Sequence, residues 1–392
     1  MSANKPPFDG EWVKLGELIS KAPIERCGDG KYPVYSMTMR DGIVEQAGRF
    51  KKAIASKDTS SYKVVKKNQL VVGFPIDEGV IYVQRHDAPG IMSPAYNVWN
   101  INLGRVDPSY LEFALHSPRS MAYYADKMRG TTARRRTLTA DGLREMEIPL
   151  PSADGQIRVV DTLDEVRLLI KEANCQIAML DTLVKSRFVE MFGDPCDPDS
   201  SKLPGFPLKN ICDLRIGPFG SALHKEDYIV GGHPLVNPSH IVDGRIEVDN
   251  SLTVGDDKFA SMGPYHLRRG DVVLGRRGEI GRCAVVDIEG LLCGTGSMIL
   301  RPHADVCSSD YLQRVVSFPS FSTSLERQAV GVTMKNLNAK IVGSAVVVLP
   351  PLALQQEFAA FVAEVDKSRF IVQQKIEKLQ MLYDSLAQEY FG

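Results

Sequence analysis

The chain has 392 residues, of which 44% are hydrophobic and 24% are charged, close to the average for soluble globular proteins. At roughly 150 residues per domain this length predicts two or three domains, and the composition excludes a wholly disordered chain. Lys and Arg number 47 and Asp and Glu number 48, so the net charge of −1 gives no whole-chain argument for a polyanionic partner. Such a partner is not excluded, because it requires only a local basic surface.

The seven cysteines and the absence of long apolar runs indicate the compartment. The cysteine count is odd and no two cysteines are spaced as Cys-x-x-Cys, which argues against a zinc site or a dithiol redox motif. The first residues lack an apolar segment of signal-peptide length, and no run of about eighteen apolar residues predicts a transmembrane helix. We therefore expect a cytoplasmic protein with free thiols and no membrane association.

The first predicted domain covers residues 1–148. Within it, residues 66–83 are typical of a strand, a glycine turn and a second strand, with Gly73 and Gly79 at the turn. A loop that contains three consecutive arginines follows at 130–140. Three adjacent arginines rarely all find ion pairs within a fold, so we expect one or two of them to face solvent.

A long helix is predicted over residues 149–193. Apolar residues recur there at alternating steps of three and four, the spacing of a coiled-coil seam. One row of the seam runs from Val159 to Leu180 and the other from Leu163 to Met191, with Arg187 as an interruption. About 35 helical residues would extend for roughly 50 Å. A single helix of this kind is more often an ordinary core helix.

The same pattern occurs a second time. A linker rich in Pro, Asp and Ser is predicted at 194–206, a second domain at 207–347 and a second long helix at 348–392, in which Arg369 interrupts the seam. A shift of 199 residues aligns 148–193 with 347–392 and gives twelve identities without a gap. Because neither helix can bury its apolar rows on a small domain alone, we expect the two helices to pack against each other.

The two domains also match, though less closely. A shift of 202 residues aligns 66–83 with 268–285 and superposes Gly73 on Gly275 and Gly79 on Gly281. The segment GTTARRRTLTA at 130–140 is similar to GVTMKNLNA at 331–339. The order of elements is therefore domain, long helix, linker, domain, long helix.

This layout resembles the specificity subunit of type I restriction–modification enzymes. The resemblance rests on the LPxxxxQ motif that starts each long helix, on GRRGEIGRCAVVD, and on GVTMKNLNAKIVGSAVVVLPPLALQQEF. It covers nearly the whole chain and is strongest over 204–392. The first domain departs from it, with GFPIDEG where the second has GRRGEIG.

The resemblance implies an α+β fold with two similar mixed α/β target recognition domains. Two long helices would join them as an antiparallel coiled coil with pseudo-two-fold symmetry and set the distance between the domains. Each domain would read half of a bipartite site in double-stranded DNA, and two methyltransferase subunits would dock on the two repeats. The subunit itself would be non-catalytic and hold no cofactor. S-adenosylmethionine would bind to the methyltransferase partner, and cleavage and ATP hydrolysis would belong to a restriction subunit where one is present.

The DNA-binding candidates are basic or polar residues in predicted loops. Arginine and lysine can neutralise phosphates, and arginine can also bind a guanine edge with two hydrogen bonds. For each of them the alternative is an ordinary solvated loop. The candidates are Arg134, Arg135 and Arg136, with Lys335 in the corresponding place, Arg276 and Arg277 beside the glycine turn, His224 and Lys225, and Lys51, Lys52 and Lys57.

Two other functional classes stay open at this point. Asn237 and Pro238, in NPSH at 237–240, faintly resemble the N-P-P-aromatic motif of a stand-alone adenine methyltransferase, but His240 replaces the aromatic residue and no glycine-rich cofactor loop precedes it. No P-loop motif is present, and the spacings of His224, His233 and His240 fit no common metal motif. The neutral net charge also allows a structural adaptor that assembles other proteins through its helices.

Overall fold

The computed structural model of the chain describes residues 10–392 apart from 40, 50–57, 130–131, 133–135, 198, 200–202, 220–221, 278–280 and 329–336. It divides the chain into two compact units. Unit 1 contains residues up to 175 together with 372–392, and unit 2 contains residues 176–371. Each unit therefore combines one predicted domain with parts of both predicted long helices.

Unit 1 is built on an antiparallel four-stranded sheet in the order β2-β9-β6-β7, with smaller pairs β1·β10, β3·β4 and β5·β8. Its strands are β1 Gly10–Lys14, β2 Ile19–Lys21, β3 Tyr35–Thr38, β4 Gly42–Glu45, β5 Lys63–Val65, β6 Gln69–Val72, β7 Ile81–Val83, β8 Gly90–Met92, β9 Asn97–Ile101 and β10 Glu147–Pro151. Its short helices are Leu15–Leu18, Gln46–Arg49, Ile76–Glu78, Pro108–Leu115, Pro118–Lys127 and Ala140–Arg144.

Unit 2 contains a matching antiparallel sheet in the order β12-β21-β18-β19, with the pair β11·β22 and two further sheets, β13-β17-β14-β20 and β15·β16. Its strands are β11 Gly205–Pro207, β12 Cys212–Ile216, β13 Tyr228–Ile229, β14 His233–Val236, β15 Ile241–Val242, β16 Arg245–Ile246, β17 Thr253–Val254, β18 Val272–Gly275, β19 Cys283–Val285, β20 Leu292–Cys293, β21 Ser297–Pro302 and β22 Val346–Val348. Its short helices are Leu208–Asn210, Lys225–Asp227, Pro238–His240, Asp256–Ser261, Gly263–Tyr265, Ser309–Ser317, Pro319–Gln328 and Ala339–Ser344.

The strand registers confirm the predicted alignment of the two domains. Leu70 pairs with Val83 in unit 1, and Val272 pairs with Val285 in unit 2, which is the same pairing after a shift of 202 residues. In β6 and β18 alternate side chains enter different cores, because successive residues of a strand point to opposite faces. Both faces of each sheet are therefore covered, and the two units repeat one folding plan.

The long helices are each 40 residues long. Long helix 1 is Ala153–Phe192 and long helix 2 is Leu352–Phe391. Both are longer than the predicted 35 residues. Each begins one or two residues after a proline, Pro151 or Pro351, and continues to the residue before its final glycine. At 1.5 Å per residue each helix extends for about 60 Å.

The predicted antiparallel packing of the long helices is confirmed within each unit. In unit 1, Val159 and Leu163 near the start of long helix 1 share a core with Ala387 and Phe391 at the end of long helix 2. In unit 2, the rings of Phe188 and Phe358 lie 5.5 Å apart between centroids. Low residue numbers in one helix thus pair with high numbers in the other.

The two arginines that interrupt the seam are ion-paired across it. Arg187 binds Glu357 at 3.1 Å and Glu190 at 3.0 Å. Arg369 binds Asp181 at 2.5 Å and also pairs with Asp366. Both sets are partly exposed, so we expect each bridge to contribute only about 0–1 kcal/mol, and their main effect is to fix the register.

No helix among the described residues is both long enough and apolar enough to span a lipid bilayer.

Candidate nucleic-acid interface

The glutamine of the LPxxxxQ motif joins each domain to its long helix. Gln156 accepts a hydrogen bond from the Asp107 amide at 2.7 Å and donates to the carbonyls of Arg105 and Pro151, both at 3.1 Å. It is 3% exposed. The side-chain amide satisfies three backbone groups and holds the start of long helix 1 against the loop that leads into helix Pro108–Leu115.

Gln355 repeats these contacts in unit 2. It accepts from the Ser308 amide at 2.8 Å and donates to the carbonyls of Val306 and Pro350, both at 2.9 Å. It is fully buried. The sequence marked both glutamines as part of the repeat, but their bonds to segments almost 50 residues away could not be deduced from the motif.

The aromatic end of each long helix completes a domain core. In unit 1 the ring of Phe391 lies 5.5 Å from that of Tyr110, whose hydroxyl donates to the Pro149 carbonyl at 2.7 Å. In unit 2 Phe192 lies 5.2 Å from Tyr311, whose hydroxyl donates to the Val348 carbonyl at 2.6 Å. Burial raises the pKa of both tyrosines, so they remain neutral donors. Each domain is thus closed by the end of the long helix that follows the other domain.

The strand–turn–strand and the predicted basic loop meet in both units. In unit 1 the Ile76 amide donates to the Arg136 carbonyl at 3.0 Å, and in unit 2 the Leu337 amide donates to the Arg276 carbonyl at 3.0 Å. The turns need glycine, because φ is +75° at Gly79 and +95° at Gly281. The glycine turn and the following loop, which the sequence indicated as separate features, therefore contact each other in each unit.

Arg136 is held by carboxylates of the adjacent turn. Its guanidinium lies 2.5 Å from Asp77 and also pairs with Glu78, and its side chain is 23% exposed. The hydrogen bond to Glu78 is the largest cause of a raised pKa for Arg136. Because these two carboxylates already balance its charge, we assign Arg136 a role in holding the loop to the turn.

Arg276 and Arg277 occupy different environments. Arg277 is exposed, whereas Arg276 is only 6% exposed. Arg276 is therefore not the accessible loop residue that the sequence predicted. Burial, followed by the charge of Arg277, lowers the pKa of Arg276. Its Nε has no hydrogen-bond partner among the described residues. Of the two, Arg277 is the one that solvent reaches.

His224 and Lys225 are both exposed at the start of helix Lys225–Asp227. The His224 amide donates to Asp227 at 2.7 Å, and Asp227 binds Lys258 at 2.9 Å. The backbone bond from His224, ahead of the contact with Lys258, lowers the pKa of Asp227. Asp227 therefore fixes this loop while the side chains before it face solvent.

The remaining predicted candidates cannot be placed. Residues Arg134, Arg135, Lys335, Lys51, Lys52 and Lys57 lie outside the described residues.

The NPSH segment forms the short helix Pro238–His240. Nδ1 of His240 lies 2.7 Å from the Leu235 carbonyl, and the ring is mostly buried. His233 bonds elsewhere, to the Gly290 carbonyl and Asp256, both at 3.1 Å. In the part of the chain that the structure describes, no group of three or more His, Cys, Asp or Glu residues could hold a metal ion.

Comparison with known proteins gives these features their context. Residues 205–381 match the family described as the type I restriction modification DNA specificity domain. The whole chain is similar to one chain of a solved structure that is described as the structural basis underlying complex assembly and conformational transition of the type I R-M system. The identity is 19%, the TM-score is 0.60 and 99% of each chain is covered. It is also similar to the type I restriction–modification S subunit from M. genitalium, with 16% identity, a TM-score of 0.51 and 99% of each chain covered.

Most of the matched residues lie in unit 2, and unit 1 repeats the folding plan of unit 2. The likeness to the solved structures extends this fold over the full length of the chain. The match to the DNA specificity domain is therefore limited to residues 205–381, and over the whole chain the solved structures show a common fold.

Proposed function

We propose that the chain reads a bipartite sequence in double-stranded DNA, one half through each unit, and positions two methyltransferase subunits on it. The observation that carries this proposal is the exact duplication of the domain-to-helix junction, in which Gln156 and Gln355 make equivalent bonds. Two equivalent junctions provide two equivalent docking places. Half-sites read from one side of B-DNA lie about 34 Å apart, and a stiff helical pair can fix such a separation.

The chain itself has no catalytic role in this proposal. Methyl transfer would be performed by the partner, which holds S-adenosylmethionine, and the assembly would work in the cytoplasm with a restriction subunit where one is encoded. Incubation of the purified chain alone with labelled S-adenosylmethionine and DNA tests this assignment. We expect no label in DNA until the methyltransferase is added, and labelling by the chain alone would favour the stand-alone enzyme.

Binding to DNA separates this proposal from a structural adaptor. We expect the complex of the chain with its methyltransferase to retain duplex DNA on a filter at low salt and to lose it steeply as salt rises. An adaptor would retain no DNA under any of these conditions.

Apolar residues on the outward faces of the long helices support a protein partner. In unit 2, Phe370 and Ile371 are 63% and 66% exposed, and in unit 1 Met381 and Leu382 are 62% and 47% exposed, eleven residues later on the same helix. These residues lie outside the seam rows and gain nothing from the packing of the two helices. Exposed apolar side chains of this kind are typical of protein–protein interfaces.

Phe370→Asp combined with Ile371→Asp should weaken assembly with the methyltransferase by roughly 100-fold, because two apolar anchors are replaced by charges that must be desolvated. Titration of the labelled chain with the methyltransferase measures this change. Gln373→Asp combined with Gln374→Asp is the control, since it adds the same charge to exposed polar positions of the same helix. Equal assembly of both double variants would contradict this docking surface.

Arg134→Ala combined with Arg135→Ala should weaken binding of the complex to duplex DNA and reduce the slope of log K against log salt by about two. The expected cause is the loss of two phosphate contacts. Arg144→Ala combined with Arg158→Ala removes two exposed arginines elsewhere in unit 1 and should leave the slope unchanged. Unaltered affinity and slope in the first double variant would show that these arginines do not contact DNA.

A further inference from the structure

Three cations gather at one edge of unit 1. Arg26 and Lys63 lie directly opposite each other in an antiparallel bridge, and Lys21 is the last residue of β2, a few residues before Arg26. This basic triad, Lys21, Arg26 and Lys63, lies where the chain passes from the four-stranded sheet to the β5·β8 pair. None of its members was predicted from the sequence, because 37 residues separate Arg26 from Lys63 and neither belongs to a basic run.

The triad is not neutralised within the described part of the chain, where none of its members forms an ion pair. The nearest carboxylate in sequence, Glu25, binds Lys66 at 2.8 Å. The Lys63 ammonium donates to the Tyr96 carbonyl at 2.6 Å, and the Arg26 guanidinium donates to the Ser61 carbonyl at 3.2 Å. These carbonyls hold the cations in place without cancelling their charge.

The arrangement is unfavourable for the isolated fold. Like charges directly opposite each other on neighbouring strands destabilise a sheet. Burial, followed by the charges of Lys21 and Arg26, lowers the pKa of Lys63. The three cations therefore repel one another, and an external anion would relieve that repulsion.

The surroundings of the triad suit DNA better than a small anion. Lys21 and Lys63 line a cleft of about 70 Å³ together with Ile24, which is 59% exposed. An exposed apolar side chain between cations can contact a deoxyribose or a base while the cations contact phosphate. The triad also borders the segment of unit 1 between β2 and β6. This segment forms the pairs β3·β4 and β5·β8, whereas unit 2 has the sheets β13-β17-β14-β20 and β15·β16, so we expect the units to differ here in what they read.

We propose that the basic triad Lys21, Arg26 and Lys63 is a DNA-backbone binding site of unit 1. This inference rests on the proposed function, because it assigns a phosphate-contacting surface to the half-site reader. Phosphate contacts raise affinity for every sequence and fix the position of the domain on the duplex, whereas base contacts carry the specificity.

The test uses the complex of the chain with its methyltransferase and a fluorescent duplex of about 40 base pairs with random sequence, since phosphate contacts do not depend on sequence. Lys21→Gln combined with Lys63→Gln should raise Kd roughly 10-fold to 100-fold at low salt and reduce the slope of log K against log salt by about two. Lys14→Gln combined with Lys67→Gln removes the same charge from unit 1 at lysines that already bind Glu145 and Asp87. It should leave the slope unchanged.

Thermal unfolding supplies a second readout. Because the variant removes repulsion, its melting temperature should equal or exceed that of the wild type, so weaker DNA binding could not come from misfolding. A lower melting temperature would assign the cations to the fold instead. If the Lys21 and Lys63 variant shows the same salt slope as the control variant, the triad is not a DNA site. DNA binding by the wild-type complex would in that case still support the proposed function. Loss of methyltransferase assembly would assign the triad to an acidic protein face, and a wild-type complex that binds no DNA would overturn the proposed function itself.

Discussion

Gln355→Ala should lower the free energy of unfolding of unit 2 by about 3 kcal/mol, one of the largest effects of any single polar substitution in the chain. The side chain is fully buried and satisfies the Ser308 amide and the carbonyls of Val306 and Pro350. Alanine leaves all three groups without a partner in a site that water does not reach. Each unsatisfied buried group costs about 1–3 kcal/mol, partly offset by local relaxation.

Calorimetry of the purified chain measures this effect. For a unit of about 200 residues we expect the lower transition to fall by roughly 6–12 °C. The adjacent Gln356 is exposed on the same helix, so Gln356→Ala is the matched control and should change the transition little. A loss no larger than that of the control would mean that the junction is not held by this amide.

Lengthening both long helices by seven residues should widen the unspecified gap between the two halves of the DNA site by about three base pairs. Seven residues add about 10.5 Å of helix, and B-DNA rises 3.4 Å per base pair. Insertion after residue 175 in long helix 1 and after residue 371 in long helix 2 keeps the facing pairs, because Asp181 meets Arg369 and Arg187 meets Glu357. A complete heptad also preserves the seam.

Methylated positions in DNA from cells that carry the extended chain and its methyltransferase report the gap. The two specified halves should be unchanged, because neither domain is altered. Insertion of seven residues into long helix 1 alone is the control, and it should abolish activity by displacing the seam. An unchanged gap with full activity would mean that the helices do not set the spacing.

The sequence predicted the repeat and the long helices well because both depend on regular spacing. The heptad rows from Val159 to Leu180 and from Leu163 to Met191 are buried or partly buried in the structure. Arg187 and Arg369 were visible only as breaks in those rows. Their partners, Glu357 and Asp181, lie 170 and 188 residues away in the chain, and only the antiparallel register brings them together.

The candidate site was harder to predict because its contacts depend on folded geometry. Arg136 looked equivalent to its two neighbours, yet Asp77 and Glu78, almost 60 residues earlier, neutralise it. Arg276 sits beside a glycine turn that suggested exposure, but it is buried. The basic triad could not be predicted because strand pairing creates it. Lone basic residues near the ends of paired strands are the sequence signal that could have indicated it.

Mapping methylated adenines in DNA from cells that carry the unaltered chain with its methyltransferase tests the central claim most directly. If one duplicated subunit reads two half-sites, every methylated position should lie in two short specified segments separated by a gap of constant length and free sequence. A single uninterrupted recognition sequence, or methylation without any common sequence, would contradict it.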